Sequence, residues 1–70
     1  MTTYMARNLT KSDRINCANE EAALFEIDRI TPDGPWVGPA DHWHIMKLIG
    51  DGIGVGEVIH EGIGPRVKTA

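Results

Sequence analysis

His42 and His44, with Asp41 beside them and His60 further along, are the residues of this 70-residue chain whose types most resemble a metal-ligand set. Whether they can act together depends on the element that carries them. On a helix, side chains two positions apart diverge by about 200° around the axis, so both imidazoles cannot reach one ion. In an extended segment they would share a face, but the local signals favour a helix. No metal and no cofactor is therefore expected. Cys17 and Ser12 are the main candidate nucleophiles, and each would need an ordered base and an oxyanion site that so short a chain can hardly preorganise. Glu57 and Glu61 read as a solvated acidic face rather than an acid/base pair. Glycines at 50, 52, 54 and 56 suggest a phosphate loop, yet no register gives G-x-G-x-x-G, no Gly-Lys-Ser/Thr follows, and Glu57 sits where phosphate would lie. No catalytic residue is assigned.

The elements that would position these residues follow from caps, turns and periodicity. Pro39 fits a first helical position, Asp41 the first turn, Lys47 the last, and Gly50 follows the final apolar pair, so a helix is expected over 39–49. Its inner face would carry Trp43, Met46, Leu48 and Ile49. Asn19 can cap a second helix from Glu20 to Ile30, with Glu20 and Glu21 at the positive end of its dipole and Ala23, Leu24, Ile27 and Ile30 inward. A strand over Leu24 to Ile30 competes, because Phe25 and Ile27 alternate with charges ahead of the turn sequence Thr31-Pro32-Asp33-Gly34.

Trp36 and Val37 should form an extended piece packing its indole on the body. With Asp51-Gly52 and Glu61-Gly62 as turns, Val55 to Ile59 and Ile63 to Val67 are expected to pair as a hairpin. Residues 1–11 lack a sustained period and read as a flexible basic tail. The expected fold is α+β: one domain over 12–70, two short helices packed on a C-terminal β-hairpin, and a loose N-terminus.

Apolar residues make up 41% of the chain, enough for a folded body, and the single cysteine excludes an internal disulfide. No apolar run approaches the roughly 20 residues of a membrane span, and the opening residues do not resemble a signal peptide, which suggests the cytoplasm. Charge is unevenly placed. Residues 1–14 carry a net +2 and the last six another +2, while 15–64 carry −7. A net charge of −3 and a pI near 5.4 argue against independent binding to duplex DNA. The segment between Gly50 and Gly64 has no Arg, Lys, Asn or Gln with which to read a groove. Basic ends on an acidic body instead suit contact with an acidic protein surface.

The opening Tyr4-Met5-Ala6-Arg7-Asn8-Leu9-Thr10-Lys11, the acidic middle and the basic end at Arg66 resemble the small transcription regulators of lytic Xanthomonas phages. The resemblance implies a non-enzymatic protein that binds the N-terminal part of the β′ subunit of bacterial RNA polymerase. It also implies inhibition of sigma-dependent initiation, suppression of termination near the RNA exit channel, and residence in the host bacterial cytoplasm. Arg7, Asn8 and Arg66 carry over as partner contacts, and Tyr4, Lys11, Arg14 and Lys68 complete the expected binding set at the two ends. A monomer is expected when free. Two other readings fit the same features: an acidic body mimicking nucleic acid toward a host defence complex, and a small toxin–antitoxin or structural subunit that self-associates through Trp36 and Trp43.

Overall fold

The structure, a computed structural model, describes residues 2–50 and 55–66. Strands β1 (Thr2–Asn8), β2 (Asp13–Cys17), β5 (His42–Ile49) and β6 (Val55–Ile63) form a four-stranded antiparallel sheet in the order β2-β1-β5-β6. Helix α1 (Glu20–Ile27) packs on one face, against β1, β2 and β5. Between helix and sheet partner, β3 (Ile30–Thr31) and β4 (Gly34–Pro35) make a separate small hairpin. The class is α+β, a mostly antiparallel sheet with one helix.

Helix α1 begins where its cap dictates. The Asn19 side chain accepts a hydrogen bond from Ala22 N at 2.8 Å, and Glu20 and Glu21 occupy the first turn. Ala23 and Ile27 are buried beneath it. The helix stops at Ile27 rather than Ile30, because Asp28 caps it and the chain turns into β3, leaving Ile30 75% exposed. The expected turn forms: Thr31 Oγ1 donates to Gly34 O at 2.8 Å, and Gly34 takes the positive φ of 118° that glycine accommodates. Trp36 and Val37 are buried, as their position between prolines suggested.

Three expectations are corrected. The expected loose tail is corrected over its described part: Thr2–Asn8 is an interior strand, paired on both sides by β2 and β5. Tyr4, Ala6 and Asn8 alternate onto the helix-covered face, and two of these are too small or too polar to advertise a strand by hydrophobicity. The segment 39–49 is not a helix. Over His42–Ile49 it is the strand joining β1 to β6, with Trp43 and Ile45 buried at period two. Its helix-like ends serve other purposes, since Pro39 lies in a turn and Asp41 binds side chains far away in sequence. The C-terminal hairpin is also absent, because β6 runs unbroken through Glu61-Gly62 and pairs with β5, with a bulge between Ile45 and Met46. The expected Asp51-Gly52 turn and Val67 lie outside the described residues.

Two glycines of β6 and its exit are fixed by Trp43. A Cβ on Gly62 would lie 2.9 Å from Trp43 Cζ2, so the indole packs directly on that backbone. The Trp43 indole N–H donates to Gly64 O at 2.8 Å, satisfying its polar atom in the core. Gly64 has a φ of 77°, and its Cα faces Pro39 O so closely that a Cβ would meet it at 2.6 Å.

Candidate functional site

A four-stranded sheet with a helix on one side leaves its other side open, and no described element covers that face. Alternation and register place the residues on it. Arg14 of β2 stands opposite Arg7 of β1, Arg7 opposite His44 of β5, and His44 opposite Glu61 of β6. The next row along the sheet runs Asn16, Met5, Met46, Val58. Arg7 Nη1 lies 4.0 Å from Met46 Sδ, so its guanidinium extends along this face over the methionine. A shallow cavity of about 280 Å³ lies at the hairpin between Arg7 and Arg14 and reaches Leu9 and Ser12.

His44 is partly buried on this face. Its Nε2 is buried with no hydrogen-bond partner. Burial lowers its pKa below the ordinary histidine value, and the Arg7 charge adds to this while Glu61 opposes it. His42 projects on the same side two residues earlier. The divergence that a helix would impose on this pair therefore does not apply. Among the described residues, no three His, Cys, Asp or Glu side chains are gathered as placed to hold a metal ion.

The seven residues expected to contact a partner separate into different roles. Arg7 and Arg14 are brought together on the open face. Tyr4 lies on the opposite face, partly buried against the core and lining a cavity with Asn19, Glu20 and Leu24. Asn8 is fully buried, and this corrects its assignment as a surface contact. Its Nδ2 donates to Trp36 O at 2.8 Å and Asp41 Oδ2 at 3.0 Å, while its Oδ1 accepts from Lys11 N at 3.0 Å. Lys11 Nζ lies 3.3 Å from Asp41 Oδ2, which ties the β1–β2 turn to the approach to β5. Arg66 is engaged internally as well, gripping Asp28 at the end of α1 with two hydrogen bonds, one of them Nε to Oδ1 at 3.0 Å. That bidentate pairing raises the Arg66 pKa above its ordinary value. Lys68 lies outside the described residues.

The charge segregation of the sequence thus has an internal use. Basic residues near the two ends hold acids of the middle: Lys11 with Asp41 and Arg66 with Asp28. Within the middle, His60 Nε2 lies 2.8 Å from Glu20 Oε2 and Arg29 Nη1 lies 3.2 Å from Glu26 Oε2. Asp41 is held below the usual carboxylate range, first by the Asn8 amide, then by the Gly38 backbone N–H and by Lys11, against an opposing effect of burial.

The candidate nucleophiles are poorly placed for that chemistry. Burial raises the Cys17 pKa and nearby Glu26 raises it further, which disfavours the thiolate a nucleophile requires. Ser12 is an exposed hairpin residue at a φ of 57°. Among the described residues, no helix is long and apolar enough to cross a membrane. No protein-family model, curated protein or solved structure matches the chain.

Met5 and Met46, which complete the open face, had no site role in the sequence reading, whereas His44 was weighed there as a metal ligand and Glu61 as part of a solvated acidic face. A signal for part of it was present: over 42–46, His-Trp-His-Ile-Met alternates at period two, with Trp43 and Ile45 inward.

Proposed function

We propose that this protein is a non-enzymatic docking module that binds an acidic protein surface through the open face of its sheet, with Arg7 and Arg14 as the principal contacts. The observation that carries this reading is the direct cross-strand opposition of the two arginines on a face that no described element covers. Like charges held opposite one another cost stability. A carboxylate arriving between them turns that repulsion into charge-assisted, bidentate pairing. Met5 and Met46 beside them offer adaptable apolar contact.

The partner suggested by the resemblance of the N-terminal segment is bacterial RNA polymerase, bound near the N-terminus of its β′ subunit. Inhibited sigma-dependent initiation and suppressed termination would follow. Among the described residues of the expected contact set, Arg7 and Arg14 are those on the open face, because Tyr4 lies on the opposite face and Asn8, Lys11 and Arg66 are engaged within the fold. The nucleic-acid-mimic alternative is weakened by the internal pairing of Glu26, Asp28 and Asp41 with cations of the same chain.

The test is a titration of the full-length protein against polymerase core enzyme at low and raised salt, with promoter-dependent transcription measured in parallel. Saturable association that weakens with salt, together with reduced initiation, is expected. No association at low salt would exclude polymerase as the partner.

A further inference from the structure

Charge on the open face has a direction. From β2 to β6 one row reads Arg14, Arg7, His44, Glu61, with cations at one edge of the sheet and an acid at the other. Arg14 and Glu61 stand three strands apart, about 14 Å at the usual strand spacing, which is too far to pair within one chain. Neither has an ion-pair partner among the described residues. The adjoining row, Asn16, Met5, Met46 and Val58, places two methionines at the middle of the sheet. Apolar surface is left bare around them: Val58 is 46% exposed, and Ile63, on the same face two residues past Glu61, is 64% exposed.

We propose that the open face also binds the open face of a second copy of this chain, about a two-fold axis parallel to the strands and lying between β1 and β5. Rotation about that axis sets β2 over β6 and β1 over β5 of the second copy, so the interface is the same patch on both. Arg14 of each copy then meets Glu61 of the other, which makes two equivalent ion pairs, and Met5 packs on Met46. Arg7 faces His44 of the second copy, whose pKa is lowered by burial and by its own Arg7, so that ring is neutral at neutral pH and adds no like charge. An axis running across the strands would instead stack basic edge on basic edge and acid on acid, so the charge order selects the first arrangement. Aligned sheets pack about 10 Å apart, a gap that an arginine and a glutamate side chain span together. Four strands and three rows amount to roughly 400 Å² of face per copy, below the usual 800 Å² or so per partner. The dimer is therefore weak and reversible. It covers Arg7 and Arg14, so a second copy and an acidic partner compete for one face.

Sedimentation equilibrium of the full-length protein alone tests this, from about 10 μM to 1 mM, where weak affinities are read. A monomer–dimer equilibrium that weakens with salt is expected. Arg14→Glu and Glu61→Arg, both at exposed positions, should each weaken dimerisation by about tenfold, since each turns two attractive contacts per dimer into repulsive ones. The combined swap Arg14→Glu/Glu61→Arg restores opposite charges across the axis and should return affinity to within about threefold of wild type. Glu57→Arg makes the same charge change on the helix-covered side, opposite Lys47, and should leave dimerisation unchanged. Wild-type protein that stays monomeric at the highest concentration and low salt overturns the proposal. So does wild-type dimerisation in either single variant, no recovery in the combined swap, or an equal loss in Glu57→Arg. No polymerase is present, so these results are independent of the docking reading, which its own titration decides.

Discussion

Replacing Asn8 with Ala separates a residue that builds the fold from one that meets a partner. Asn8 is 0% exposed, and its side chain makes three hydrogen bonds: to Trp36 O, to Asp41 Oδ2 and from Lys11 N. A neutral hydrogen bond contributes about 1 kcal/mol net, one to a charged group about 1.5–3, and a buried partner left unsatisfied adds its own desolvation penalty. Lys11 Nζ, 3.5 Å from Trp36 O, and Gly38 N, 2.8 Å from Asp41 Oδ2, keep those two acceptors partly satisfied. The net cost of Asn8→Ala is then about 3–4 kcal/mol. At roughly 0.05–0.15 kcal/mol per residue, a chain this size has only about 4–10 kcal/mol in total. Urea unfolding followed by tryptophan fluorescence reads the change, since Trp36 and Trp43 are both buried. The midpoint should fall steeply with an unchanged slope, while the folded fraction binds its partner normally. A loss below about 1 kcal/mol, or normal stability with lost binding, would refute the reasoning and return Asn8 to the interface.

Gly62→Ala should destabilise the fold, because the new Cβ would lie 2.9 Å from the Trp43 ring, and the loss should appear as a lower thermal midpoint. Arg66→Ala should cost about 1 kcal/mol by removing the clamp on Asp28, with partner affinity unchanged, as denaturation and binding titrations would reveal. The Asp41 pKa is lowered on folding, so its contribution to stability is complete above the ordinary unfolded value of about 3.9. That contribution is lost as pH falls through the depressed folded value. Acid unfolding of Asp41→Asn should lack this component of the pH dependence.

Local signals were legible where local interactions decide the structure. Asn19 followed by two glutamates started a helix at Glu20, and Thr31-Pro32-Asp33-Gly34 made its turn, because each rests on hydrogen bonds spanning only a few residues. The strands depended on distant partners. Asp41 looked like a first-turn carboxylate, but its side chain is taken by Asn8, 33 positions earlier, and no local pattern encodes that pairing. Strand β1 was concealed because its inward positions include Ala6 and Asn8, which fit against Ile45 and Trp43 without forming an apolar stripe. The uneven charge was visible in the sequence, but much of it serves the chain itself. Of the seven expected contacts, Asn8, Lys11 and Arg66 make hydrogen bonds or ion pairs within the fold. Arg7 and Arg14 were named, although their direct opposition requires the β1–β2 register.

The most direct test of the docking account compares charge reversal on the open face with removal of the internal clamp. Arg7→Glu/Arg14→Glu and Arg66→Ala proteins, each first shown to be folded, are titrated against polymerase core enzyme beside the wild type. The account predicts that the double reversal weakens binding by at least about a hundredfold, as expected for losing two charge-assisted contacts at about 1.5–3 kcal/mol each. The Arg66→Ala protein should keep wild-type affinity. Wild-type affinity in the double reversal, with binding lost in Arg66→Ala, would contradict the open face as the docking surface.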